Sequence, residues 1–332
     1  MPDRIASSEK YKITNLKIIG EINGTDLNMI REMAGGNYTG NSTDGKLSVL
    51  DLSEAKIVEG GDCYYTDYDN YTYNEYYTSN DVIGFCAFKG CSRLTSLTLP
   101  AGITSIGSYA FWGCSGLTNL TLPTGITSIG SDAFCGCSGL TSLKLPASIT
   151  SIGSRAFQGC SGLTNLTLPA GITSIGDGTF DRCSGLTSLT LPAGITSIGY
   201  GAFEGWRGLT SLTLPAGITE IDDDAFRDCS GLTSIYVYAE KVPKIGRNVF
   251  WGVDTKKCTL YVPMGTYDDY RLSEFGDYFE NIVEFEATGI DKTTTSTDVE
   301  EVVRYSVNGQ RLSAPTKGLN IVKYSDGSVK KV

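Results

Sequence analysis

The chain of 332 residues contains no histidine. That removes Ser-His-Asp and Cys-His catalysis, HExxH zinc sites and every imidazole general base. Carboxylate or lysine chemistry is left, but no pair of such residues is singled out by spacing. The chain is read as a non-enzyme with no cofactor and no metal site. Charge is scarce at 19%, and Lys and Arg are outnumbered, giving a net charge of −10. Partners that demand clustered cations, nucleic acid and anionic membrane surfaces, are thereby disfavoured. No stretch approaches the ~20 apolar residues of a membrane span, so no membrane insertion is expected. No Cys-x2-Cys pair is present to suggest structural zinc. The start, Met1-Pro2-Asp3-Arg4, lacks the apolar segment of a signal peptide. It is either a cytosolic start or that of a mature chain whose signal has been trimmed.

What the chain has is a period. Phe88, Phe111, Phe134, Phe157, Phe180, Phe203 and Phe226 recur every 23 residues, within copies close to L-T-S-L-T-L-P-A-G-I-T-S-I-G-S-x-A-F-x-G-C-S-G. Such self-similarity is the signature of a solenoid whose coils bury their apolar sides against one another. The L-x-x-L-x-L segment (Leu94, Leu97 and Leu99, then Leu117, Leu120 and Leu122) alternates as a strand does. Prolines at 100, 123, 146, 169, 192 and 215 end it, because they cannot donate to a ladder. Ile103 and Ile106 face inward from the return leg, Gly107 permits the turn, and Phe111 fills the coil. The predicted fold is a β-rich, right-handed leucine-rich repeat solenoid of 23-residue repeats with a parallel β-sheet. Short capping helices and a small C-terminal β module complete it.

Six of the ten cysteines (Cys91, Cys114, Cys137, Cys160, Cys183, Cys229) share one repeat column, in which Trp206 also stands. A bridging or metal-bound cysteine has no Trp substitute, so the column is read as reduced, buried thiols acting as small hydrophobes. Stacked coils bring such residues within about 5 Å, so an occasional disulfide is the alternative. Cys63, Cys86, Cys135 and Cys258 lie off the column, and their redox state is left open.

The period also divides the chain. Residues 1–45 read as an N-terminal cap with a first strand (Leu16, Ile18) and a short helix carrying Leu27, Ile30 and Met33. Thr25 is its expected N-cap and Gly35-Gly36 its stop. Residues 46–285 are the solenoid, opening with Leu47, Leu50 and Leu52. They include a Tyr-rich insertion at about 59–81, a one-residue register shift after Tyr238 and a C-terminal cap at about 266–285. Residues 286–298 are a polar linker. In 299–332, Asn308-Gly309 and Asp326-Gly327 between β-prone runs are hairpin signals.

The repeat F-x-G-C-S-G-L-T-S-L-T-L-P-A-G-I-T-S-I-G resembles the BspA-type leucine-rich repeat of bacterial surface proteins over roughly residues 83–285. The closing L-Y-V-P-M-G-T (260–266) and N-I-V-E (281–284) resemble the usual end of these arrays, and L-K-I-I-G-E-I-N-G-T-D (16–26) their N-terminal part. The resemblance implies an extracellular or cell-surface protein with its signal peptide removed, several relatives being adhesins for host extracellular-matrix proteins. Y-S-V-N-G-Q-R-L (305–312) and K-G-L-N-I-V-K (317–323) are similar to the sorting domains of type IX secretion cargo. That likeness implies an encounter between the C-terminal module and outer-membrane secretion machinery.

Two places could hold a partner. The exposed strand positions form one column of Ser96, Asn119, Ser142, Asn165, Ser188, Ser211 and Ser234. A second runs through Thr98, Thr121, Lys144, Thr167, Thr190, Thr213 and Tyr236. They read either as a polar docking face or as β-compatible residues that keep a sheet soluble, and the breaks at Lys144 and Tyr236 carry the most information. The insertion holds Tyr64, Tyr65, Tyr68, Tyr71, Tyr73, Tyr76 and Tyr77 among Asp and Asn. This is paratope-like chemistry that also suits sugars; the competing reading is a shield packed over the first coils. A calcium site on Asp67 and Asp69 has no supporting spacing. The expected function is recognition of a host protein or glycan. The alternatives are a spacer without ligand and, remotely, an ice-binding Thr/Ser face, which Asn119, Lys144, Asn165 and Tyr236 interrupt.

Overall fold

The computed structural model describes residue 1 and residues 3–286 except 70 and 71, with only the backbone at 69, and the strand backbones at 301–306, 311–312, 320–324 and 329–331. The chain divides into two compact units, Met1–Ala287 and Thr288–Val332. The first is a parallel β-solenoid of about nine turns at roughly 23-residue spacing, with little helix.

Two strand columns run through it. On the leucine side, β1 (Asn15–Ile22) pairs with β2 (Val49–Ile57), which pairs with Ser96–Thr98 and then Asn119–Thr121, all in parallel. On the isoleucine side, two-residue strands such as Ser105–Ile106 and Ser128–Ile129 pair at the same 23-residue offset. Leu50 thus sits beside Leu97 although the insertion lies between them in sequence. After Tyr238 the offset grows by one, with Glu220 beside Lys244.

The phenylalanine period becomes a spine. From Phe88 to Phe226 successive rings stack at 5.1–5.6 Å between centroids, tilted by 2–11°. Phe250 follows at 6.0 Å. Beyond it the short helices α2 (Tyr267–Arg271) and α3 (Glu274–Tyr278) bury Tyr270 and Phe275, with Phe279 also closing over Phe250 at 5.1 Å. At the other end α1 (Gly24–Met33) buries Leu27, Ile30 and Met33. Its N-cap is Asn23, in a capping box with Asp26, and not Thr25 as the sequence suggests. The Thr25 hydroxyl instead donates to Asp62 at 2.9 Å and accepts the Asp62 N–H at 2.8 Å, pinning the insertion to the helix.

Gly107 also differs from expectation. It does not need a left-handed backbone; a Cβ there would lie 2.8 Å from the Gly84 carbonyl carbon and 2.9 Å from Phe85 N. Close approach of neighbouring coils, not turn geometry, demands the glycine. The left-handed turn falls two residues later, at Tyr109 (φ 57°) and its column mates Asp132 and Arg155 (both φ 55°).

The leucine-side sheet is not continuous. After Asn119–Thr121 only an isolated bridge, Ser142 to Asn165, appears before pairing resumes with Ser211–Leu214, Ser234–Val237, Thr259–Pro263 and Ile282–Phe285. The coils stay joined there through the turn, where Arg155, Phe157 and Gly159 N–H groups reach the carbonyls of Asp177, Thr179 and Asp181. Within this interval Lys144 is the one departure from Thr in the second strand column.

In the second unit Arg311–Leu312, Glu301–Ser306, Asn320–Tyr324 and Val329–Lys331 form an antiparallel sheet in that order. Asn308-Gly309, Asp326-Gly327 and, except for Glu286, the linker expected over 286–298 lie outside the described residues.

Candidate functional site

The insertion is an antiparallel hairpin of β3 (Gly60–Asp69) and β4 (Thr72–Thr78), in which Tyr65 faces Tyr76 and Tyr68 faces Tyr73. Its aromatic residues separate by strand alternation. Tyr65 and Tyr76 share one side with Asp67 and Asn74. Tyr76 stacks on Phe85 at 4.2 Å, and Phe85 meets the edge of Tyr109. Tyr64, at the irregular start of the pairing, is buried and donates its hydroxyl to the Phe85 carbonyl at 2.8 Å. Burial pushes the Tyr64 phenol far above its ordinary value, and burial first, then the Asp67 charge, raises Tyr76. Asp67 accepts from Asn74 Nδ2 at 3.0 Å and from the Tyr76 hydroxyl at 3.4 Å, so its carboxylate serves the hairpin itself.

The opposite side is open. Tyr68, Tyr73 and Tyr77 are 70%, 59% and 50% exposed, and the Tyr77 hydroxyl donates to Glu75 at 2.7 Å. Tyr64, Tyr65 and Tyr76 are packed inward, as the shield reading expects, and Tyr68, Tyr73 and Tyr77 are presented outward. Tyr71 lies outside the described residues.

Two cations that the sequence does not advertise brace the hairpin. Lys89 Nζ lies 5.4 Å from the Tyr65 ring, 5.5 Å from Tyr109 and 5.4 Å from Trp112. Arg31, fully buried, packs its guanidinium 4.9 Å from the Tyr65 ring and donates to the carbonyls of Cys86 (2.6 Å), Ala87 (3.0 Å), Asn37 (3.0 Å) and Lys89 (3.2 Å). In later coils the equivalent carbonyls, Ala110 and Trp112, accept N–H groups of the preceding coil, Phe88 and Gly90. The first of these coils has no such predecessor, and Arg31 supplies the missing donors. Only the register of the backbone ladder reveals that role.

On the sheet face, Thr98, Asn119, Thr121, Asn165 and Thr167 are exposed and Ser96 is half-buried. Lys144 is exposed beside a depression of about 490 Å³ formed with residues of the coil before it. Tyr236 is half-buried, stacked at 4.4 Å on Tyr261 of the next coil, and meets the edge of Phe285 at 5.8 Å. Tyr238 also packs on Phe285. The sequence columns offer Tyr236 as a binding candidate but not Tyr238, Tyr261 or Phe285, because the strands after Tyr238 fall outside the 23-residue columns. The hairpin and Tyr236 are separate places along the array, not one site.

All ten cysteines are free. The column thiols at 114, 137, 160, 183 and 229 each donate to the carbonyl of the phenylalanine 26 residues earlier, at 3.1–3.3 Å, and Trp206 Nε1 donates to Phe180 in the same way at 2.8 Å. The column is a run of buried donors and not only apolar filler.

The sequence pattern of the BspA-type leucine-rich repeat region, in its six-copy form, matches residues 61–173 and 150–270, together well over half of the chain. The chain belongs to the BspA-type leucine-rich repeat family. Among solved structures, this BspA-type chain is similar to a leucine-rich repeat protein from Bacteroides ovatus, at 26% identity over 67% of this chain and 62% of that one, with a TM-score of 0.49. It is similar to a leucine-rich cell surface protein from Faecalibacterium prausnitzii at 37% identity, covering 52% of this chain and 46% of that one, with a TM-score of 0.47. A leucine-rich repeat protein from T. pallidum is 30% identical, with 52% and 80% of the chains covered and a TM-score of 0.46. The chain thus spans less than two thirds of the length of the first two. No curated protein matches it. Among the described residues no helix is long and apolar enough to cross a membrane, and no group of three or more Cys, Asp or Glu converges as a metal site would.

Proposed function

We propose that this BspA-type protein is a non-enzymatic binding protein, secreted or held at the bacterial surface, that recognises a host extracellular-matrix protein or glycan. The observation that carries the reading is the outward face of the hairpin. Tyr68, Tyr73 and Tyr77 are large aromatic side chains in water, on a strand pair whose other face is fixed by Tyr64, Tyr65 and Tyr76. Rigid, exposed tyrosines offer contact area at little entropic cost, which is the chemistry of a binding surface. Family membership supports the surface location. The C-terminal unit, by its likeness to sorting domains, would engage outer-membrane secretion machinery.

The test is a screen of immobilised matrix proteins and glycans against the full chain and a Tyr68→Ala/Tyr73→Ala/Tyr77→Ala variant. Hits that weaken by tenfold or more in the variant, with unchanged thermal unfolding, support the assignment; hits that bind the variant equally well remove it. The spacer reading expects no hit at all from the unaltered chain.

A further inference from the structure

Where the leucine-side ladder loses its pairing, two depressions open beside one another. The first, about 490 Å³, is floored by Leu120, Leu122 and Pro146. The second, about 440 Å³, has Leu145, Leu168 and Pro169 in its lining. Lys144 lines both. Among the described residues its ammonium has no carboxylate partner: none of the ion pairs includes it. Lys144 is the one charged residue in the lining of either depression, and between Asp81 and Asp177 the sequence runs against the charge of the whole chain. Residues 82–176 carry Lys89, Arg93, Lys144 and Arg155 against Asp132 alone, an excess of three positive charges in a protein of net charge −10. Polar side chains at the rim, Asn119 and Ser142, supply hydrogen-bonding groups.

We propose that these paired depressions are a docking groove for an extended peptide segment of another protein, carrying a carboxylate flanked on each side by apolar side chains. The carboxylate pairs with Lys144, and the flanking side chains cover the leucine and proline floors. Removal of that apolar surface from water favours an alkyl side chain over the hydroxyl-covered face of a sugar, which is why a peptide is assigned and not an anionic glycan. The proposal rests on the reading of the chain as a binding protein but uses a surface distinct from the tyrosine hairpin.

Three probes test it on the full chain by fluorescence anisotropy. They are a labelled peptide with tandem Leu-Ser-Glu-Ser-Leu units, the same peptide with Lys in place of Glu, and labelled polygalacturonate. The Glu peptide is expected to bind, more weakly as salt rises. Lys144→Glu should weaken it by about tenfold or more, as loss of a charge-assisted hydrogen bond and its replacement by repulsion require. Lys256→Glu, the same charge reversal at an exposed position outside both depressions, should leave it unchanged. Lys144 is exposed, so thermal unfolding of Lys144→Glu should match the parent. Equal binding of the Lys peptide, indifference to Lys144→Glu, tighter binding of polygalacturonate, or no binding of any probe would each overturn the groove. None of these touches the hairpin reading, which the tyrosine variant tests separately.

Discussion

At the scale of single residues, the cysteine column shows how a repeat position can combine two properties. A thiol is small enough to fill the space between coils and still donates a hydrogen bond to a phenylalanine carbonyl. Trp206 enters the same column because its indole N–H reaches the equivalent carbonyl. Trp206→Phe keeps most of the ring but leaves the Phe180 carbonyl without its donor. It should cost about 1–3 kcal/mol, the penalty for an unpaired buried acceptor, read from the urea midpoint. Donation also requires that the thiols stay protonated. Burial pushes Cys183 and Cys229 from an ordinary value of 9 up to about 12. Their stabilising contribution is therefore complete below about pH 9, where the thiol is protonated in both the folded and the unfolded chain. Above that the unfolded chain releases protons that the folded one retains, so stability should fall as pH rises toward 12. Urea titrations across pH 7–11 check this; a flat or rising stability above pH 9 would contradict it.

Among the elements, the ends of the array are held by devices that the period does not encode. Arg31 acts as a terminal rung, donating from one guanidinium to the Ala87 and Lys89 carbonyls that a preceding coil would otherwise satisfy. Arg31→Met retains the apolar stem but strands those carbonyls. It should lower stability by about 3–5 kcal/mol, measured by denaturant unfolding, whereas a loss under 1 kcal/mol would show that water replaces the arginine. The repeated elements were plain in the sequence, because Leu97, Ile106 and Phe111 each recur at a fixed offset and burial follows from alternation. The rest was not legible, for identifiable reasons. A side chain that satisfies a backbone ladder, such as Arg31, leaves no periodic trace. The division of the tyrosines into a pinned and a presented face depends on hairpin register, which the composition of residues 62–77 does not contain. The true N-cap, Asn23, lies two residues before Thr25 because the Thr25 hydroxyl bonds Asp62, a partner distant in sequence.

For the molecule as a whole, the regular coils and the departures from them occupy different places. The regular coils supply a continuous phenylalanine spine and a neutral face of Ser, Thr and Asn. Departures from the repeat supply what a partner could grip: three outward tyrosines on a braced hairpin and, where the sheet opens, an exposed lysine with no ion-pair partner among the described residues. Surface location and recognition are what family membership leads one to expect, and the interruptions are where this chain would express its own specificity. The most direct measurement compares two variants against any partner that the binding screen identifies. One is the hairpin variant, Tyr68→Ala/Tyr73→Ala/Tyr77→Ala; the other is a repeat-face variant outside both depressions, Thr98→Ala/Thr190→Ala/Thr213→Ala. A tenfold or greater loss in the hairpin variant with near-parent affinity in the repeat-face variant is expected. Loss in the repeat-face variant with the hairpin variant unaffected would contradict it.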